Sequence, residues 1–118
     1  MAAPYAWLIT YDHIADYDEP AGTNCNAIGM TGPRNINPVL ETVLRTAARI
    51  GRASWHGPED VKWFRIFDDD GERYYSGVYV AVSDDPSGFE PLDDFGTPNA
   101  GATEIQYYNP ATEEWEVL

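Results

Sequence analysis

The sequence predicts an α+β domain: a mostly antiparallel sheet of about five strands with one helix packed on one face. Three observations carry this reading. "DVKWFRIFDDDGERYYSGVYVAV" sets two strand-like runs on either side of Asp70-Gly71, a pair that supplies the positive φ angles of a tight hairpin turn. "NPVLETVLRTAARIG" places apolar residues three and four apart, the spacing of a helix face. "TEIQYYN" and "WEVL" alternate from one side to the other, as half-buried strands do. One helix among several strands joined by turn signals gives an α+β domain rather than a parallel α/β one.

Taken in order, "YAWLITYDHI" (Tyr5–Ile14) opens with aromatic and β-branched residues and reads as a first strand. The stretch "ADYDEPAGTNCNAIGMTGPRNIN" is rich in Gly, Pro, Asn and Asp and reads as a long loop, a feature that is often functional in compact domains. In the helix, Asn37 serves as the cap and Pro38 suits the first turn. Val39, Leu40, Val43, Leu44, Ala47 and Ile50 form its apolar stripe, and Gly51 ends it. Arg45, Arg49 and Arg52 lie together on its polar side, with Glu41 four residues before Arg45, and bases there suit the helix dipole. In the hairpin, Val78, Val80 and Val82 share one face and Tyr75, Tyr79 and Ala81 the other. Both faces are partly apolar, so this strand is central. "FEPLDDFGTPNAGATEI" reads as a rigid loop. Phe89, Leu92 and Phe95 tie it to the core, Gly96, Pro98, Asn99 and Gly101 make fixed turns, and Asp93 and Asp94 have no structural duty. The last strands follow, with Trp115 and Val117 on one side and Glu114 and Glu116 on the other.

The chain has 118 residues and reads as a single domain, 1–118, with neither linker nor internal repeat. It is 43% hydrophobic and carries four Trp, eight Tyr and four Phe, which favours a packed sheet over disorder. No apolar run approaches the roughly 18 residues of a membrane helix. "MAAPYAWLIT" lacks the basic region of a signal peptide. The single cysteine, Cys25, excludes an internal disulfide. Together these features set the expectation of a cytoplasmic protein. Twenty acids against seven bases give a net charge of −13. Residues 1–65 hold seven acids and six bases, whereas residues 66–118 hold thirteen acids and one base, Arg73. Such a surface repels nucleic acid and anionic membrane and steers basic partners toward it. Solubility alone is the plainer explanation of the same charge.

Few motifs point to chemistry. Asp68, Asp69, Asp70 and Glu72 crowd one turn, but Arg73 and Tyr79 stand where a calcium loop needs its Gly and its closing Glu. Nothing around Cys25 favours a thiolate, and an acidic field raises a thiol pKa. His13 has Asp12 and Asp16 beside it in sequence and reads as a loop residue satisfied by hydrogen bonds. Gly29 and Gly32 precede a helix N-terminus with Arg34 nearby, yet neither the P-loop nor the dinucleotide pattern is present. No cofactor, metal or catalytic residue follows. Rows of carboxylates on strands can instead imitate the charge spacing of a DNA strand, about one charge per 3.4 Å.

At "WLITYDH", "GPR", "FRIFDDDGERYYSG" and "FEPLDDFGTPNAGATEI" the chain resembles small, acidic, uncharacterised proteins of actinobacteria and their phages and plasmids. It departs from them in a long insert before Gly29 and an extended tail after Gln106. The resemblance implies no activity and no catalytic residue. Its mobile-element setting implies a regulator or an inhibitor of a host system. The expectation is therefore a non-enzymatic protein that binds a basic, nucleic-acid-binding host protein by DNA mimicry and does not itself bind nucleic acid. The candidate partner-binding residues are Asp68, Asp69, Asp70, Glu72, Asp93, Asp94, Glu113, Glu114 and Glu116, with Tyr74 and Trp115 as anchors. The alternative is a small-molecule or metal-binding module, an enzyme included, that uses the loop 15–37 with His13, Cys25 and Arg34. A structural or accessory protein whose acidity serves only solubility is the third reading.

Overall fold

The computed structural model describes residues 3–13, 28–55, 61–82 and 87–118. The strands are β1 (Tyr5–Asp12), β2 (Thr31–Gly32), β3 (Lys62–Phe67), β4 (Arg73–Ala81), β5 (Glu104–Asn109) and β6 (Glu114–Val117). They form one sheet in the order β2-β1-β4-β3-β5-β6, and every neighbouring pair is antiparallel. The main helix, α1, spans Pro38–Ile50. The α+β expectation holds, with one strand more than expected. The addition is β2, which lies inside the stretch read as loop. Two residues are too short for alternation to show, and pairing with β1 at Trp7 and Leu8 makes the strand.

β4 occupies the middle of the sheet, between β1 and β3. Gly77 at its centre sits under the Phe64 ring and against the Leu8 carbonyl oxygen, where a Cβ has no room. The β3–β4 connection is longer than the two-residue turn the sequence predicts. Asp68 N–H donates to the Glu72 carbonyl, so Asp69, Asp70 and Gly71 form a three-residue loop with Gly71 at φ +81°. The Asp68 carboxylate organises it, accepting from the backbone N–H of Asp70 and Glu72 at 2.9 and 2.8 Å.

α1 covers one face over β1 and β4. Asn37 Oδ1 accepts from Val39 N–H at 2.8 Å, Pro38 sits in the first turn, and Gly51 ends the helix by donating to the Ala47 carbonyl. Leu40, Leu44 and Ala47 are buried against Ala6, Leu8, Val78 and Val80. A fully buried Leu such as Leu44 contributes about 2 kcal/mol by leaving water. The stripe is narrower than its periodicity predicts: Val39 is 69% exposed and Ile50 44%. They flank a line of contact only two strands wide. Val82, assigned to the same face as Val78 and Val80, falls beyond the end of β4 and is exposed.

The opposite face carries Trp7, Ile9, Phe64, Ile66, Tyr75, Tyr79 and Ile105, and it has a cover of its own. "FEPLDDFGTPNAGATEI" is helical rather than the rigid loop of turns the sequence predicts. A π-helical turn (Leu92–Gly96) runs directly into a short helix, α2 (Thr97–Ala100). Leu92, Phe95 and Ala102 from this segment pack into the second cluster. The glycines and prolines that read as breakers occupy positions a helix tolerates. Pro98 lies in the first turn of α2, where its missing N–H is no loss. Gly96 approaches β3 so closely that a Cβ would lie 3.0 Å from Ile66 Cγ2. The domain therefore has three layers rather than the expected two.

Candidate functional site

The candidate site is built on the β3–β4 turn. Burial raises the pKa of Asp68, but hydrogen bonds from the Glu72 and Asp70 backbone and from the Tyr74 hydroxyl outweigh it and hold the carboxyl below its ordinary value. Asp68 is thus a fixed anion at neutral pH, and Asp69, Asp70 and Glu72 are exposed around it. Tyr74, expected as an anchor, is half-buried and donates its hydroxyl to Asp68. It acts as a prop for the turn.

Beside this turn β5 begins and β6 ends, with Leu118 N–H donating to the Ile105 carbonyl. An open groove of about 520 Å³ lies there. Asp68, Asp69 and Glu104 rim it, and Phe89, Val117 and Leu118 provide an apolar floor. These apolar residues are 38%, 62% and 46% exposed, an unusual display for large side chains. The groove joins parts of the chain that are far apart in sequence. Glu104 and the three apolar residues were not expected at a site. Glu104 read as the polar side of an alternating strand, and only the pairing of Phe67 with Glu104 brings it to the acidic turn.

The remaining predicted acids do not join this group. Glu113 and Glu114 lie at the other end of β5 and β6, since β5 runs away from the turn from Glu104 to Asn109, which pairs with Glu114. Glu116 pairs with Tyr107 and approaches Asn109 Nδ2 at 3.3 Å. Asp93 is exposed on the π turn. Asp94 has a structural duty, contrary to expectation. Its Oδ2 accepts from the Tyr5 hydroxyl at 2.7 Å and from Trp7 Nε1 at 3.1 Å, fastening the π turn to β1. Glu90 acts similarly at the segment's start. It accepts from the Tyr79 hydroxyl at 2.7 Å and from the Gly88 N–H, the Ser87 N–H and the Ser87 hydroxyl at 2.8–2.9 Å. Ser87 and Glu90 stand at capping-box spacing.

Trp115, the other expected anchor, is already covered by an arginine. The guanidinium carbon of Arg65 lies 3.8 Å from its ring centre. Arg52 does not stay with Arg45 and Arg49: α1 has ended before it, and its guanidinium lies 3.8 Å over the Tyr108 ring. Arg45 pairs with Glu41 at 3.0 Å, as its spacing predicts.

Of the residues named for the alternative module, Cys25 and most of the loop 15–37 lie outside the described residues. Gly29 and Gly32 serve the β1–β2 pairing, with Gly29 N–H donating to the Ile9 carbonyl and Gly32 packed on the Trp7 indole. His13 Nε2 lies 3.1 Å from Ser76 Oγ. Burial, together with Arg73, lowers the His13 pKa despite the opposing pull of Asp12. Among the described residues no group of three His, Cys, Asp or Glu is placed to hold a metal ion, and no helix is long and apolar enough to cross a membrane. No protein-family model, no curated protein and no solved structure matches the chain.

Proposed function

We propose that the protein is a non-enzymatic interaction domain that binds a basic protein segment in the groove beside the β3–β4 turn. The observation that carries this reading is the combination at one place of Asp68, Asp69 and Glu104 with the exposed Phe89, Val117 and Leu118. Carboxylates around an apolar floor complement a segment in which Lys or Arg flank an apolar anchor. The net charge of −13 adds long-range steering of such a partner. Nucleic-acid-binding proteins present segments of this kind, and occupation of their basic cleft would inhibit them. The resemblance to acidic proteins of phages and plasmids supports a regulator or inhibitor of a host factor, acting in the cytoplasm.

The test is affinity capture from host lysate at low and high salt, with wild type beside Asp68→Lys/Asp69→Lys/Glu104→Lys. The proposal expects one or more basic proteins that bind wild type at low salt, are released at high salt, are displaced by competing DNA and are lost with the triple variant. Recovery of no basic protein at low salt, or equal recovery by the triple variant, would overturn it.

A further inference from the structure

On the face that α1 covers over β1 and β4, the part of the sheet beyond the helix gathers three guanidiniums. Arg65 lies on β3, Arg73 begins β4, and Arg52 comes from the 3-10 turn after α1, Arg52–Ser54. Arg52 and Arg65 are laid on Tyr108 and Trp115, whose ring centres are 5.4 Å apart, and Arg73 stands 5.9 Å from the Phe67 ring. Flat stacking on a ring fixes a guanidinium and leaves its N–H edge free to donate. Among the described residues the salt bridge at ion-pair distance is Arg45–Glu41, and it involves none of these three arginines. Burial and then the charges of Arg73 and Arg52 lower the pKa of Arg65, as expected where like charges are held together. Three neighbouring arginines are thus gathered on one face. Glu104, on the same face, accepts from Gln106 Nε2 at 2.8 Å instead.

An aromatic pair lies in register with this cluster. Tyr11 pairs with Ser76, Ser76 with Arg65, and Arg65 with Gln106, so the four residues form one row across β1, β4, β3 and β5. Adjacent strands are about 4.8 Å apart, which places the root of Tyr11 roughly 10 Å from that of Arg65. Tyr11 is 40% exposed, and its ring centre is 4.4 Å from that of His13. Arg73, and less strongly Arg65, also act on His13 electrostatically, so the ring pair lies within reach of the cluster. We propose that this face binds a nucleotide, with the phosphate held by Arg65 and Arg73 beside Arg52 and the base laid on the exposed Tyr11 ring. Charge selects the phosphate: clustered forks match a group of several oxygens and more than one charge better than a single carboxylate. Aromatic side chains on an open sheet face are also the usual platform for unstacked bases. The net charge led to the opposite expectation, but Arg52, Arg65 and Arg73 gather positive charge on this face, with Glu104 and the acidic turn at its edge. The nucleotide is either free or the unit of a short single strand.

The test titrates the full chain with adenosine monophosphate, adenosine, inorganic phosphate and oligoadenylates of increasing length, followed by calorimetry and amide NMR. Saturable binding of the monophosphate is expected, with shifts at Tyr11, Arg65 and Arg73. Arg65→Gln/Arg73→Gln should weaken it at least about tenfold, the effect of losing charge-assisted hydrogen bonds. Tyr11→Ala should weaken the monophosphate and leave inorganic phosphate unchanged. Arg73→Gln alone serves the same purpose if the double variant fails to fold. Affinity that climbs with oligomer length identifies a strand as the source, and affinity that does not climb identifies the free nucleotide. No saturable binding of the monophosphate or any oligomer, or binding indifferent to the Arg→Gln changes, would overturn the proposal.

Discussion

At Asp94 a single carboxylate oxygen accepts hydrogen bonds from two rings of β1, the Tyr5 phenol and the Trp7 indole. Its neighbour Asp93 is exposed. In sequence the two acids are indistinguishable, and the turn of the helix separates them. Asp94→Ala would leave the part-buried Trp7 N–H without its acceptor. It should cost about 1–3 kcal/mol, the usual penalty for stranding a polar group. Asp93→Ala should stay within about 0.5 kcal/mol of wild type. Urea unfolding of the two variants decides this, and equal midpoints would remove Asp94 from the fastening role. Trp115 gives the same lesson. Its alternation with Glu114 and Glu116 was legible, but the guanidinium above it belongs to Arg65, fifty residues earlier in the chain.

Among the elements, the covering segment from Ser87 to Ala102 differs most from its sequence reading. Glu90 holds its first turn to Tyr79. Burial pushes the Glu90 carboxyl up, but hydrogen bonds from Tyr79, Ser87 and Gly88 prevail and keep its pKa below the ordinary value of 4.5. A carboxyl with a depressed folded pKa adds stability above its unfolded pKa and loses it as pH falls through the folded one. Glu90→Gln should therefore be less stable than wild type at neutral pH, and the gap should close as the medium is acidified below that ordinary value. The phenols of Tyr79, Tyr5 and Tyr107 behave in the opposite sense. Burial raises all three, helped by hydrogen bonds to Glu90 for Tyr79 and to Asp94 for Tyr5. A raised phenol adds stability below its unfolded pKa of about 10 and loses it as pH climbs past that value. Chemical unfolding across pH tests both limbs. A constant gap between wild type and Glu90→Gln from neutral to acid would refute the Glu90 assignment.

For the whole molecule, the charge asymmetry along the chain is not an asymmetry of two lobes. β1, from the near-neutral half, lies beside β4 from the acidic half, and β3 lies beside β5. Interleaving spreads the acids over both ends of the sheet and collects Arg52, Arg65 and Arg73 on one face. The remaining excess of −13 opposes the compact state. Added sodium chloride should therefore raise the melting temperature until the Debye length falls to about 3 Å near 1 M. Calorimetric scans at increasing salt measure this. A falling melting temperature would mean that attractive pairs outweigh the self-repulsion.

What the sequence determined by itself were the features with a local cause. The cap at Asn37, the stop at Gly51, the turn around Gly71 and the alternation of β4 and β5 depend on neighbours within a few residues, so pattern alone reveals them. The order of the strands, the role of residues 89–101 as a second cover, and the company kept by Asp94, Glu104, Trp115 and the three arginines depend on pairings distant in sequence. Only the tertiary structure decides those, because a strand's hydrogen-bonding edges and a sheet's second face carry no mark of which segment will fill them. The acidic turn was visible in the sequence. Its apolar floor and the arginine face beside it arise where β3, β4, β5 and β6 meet.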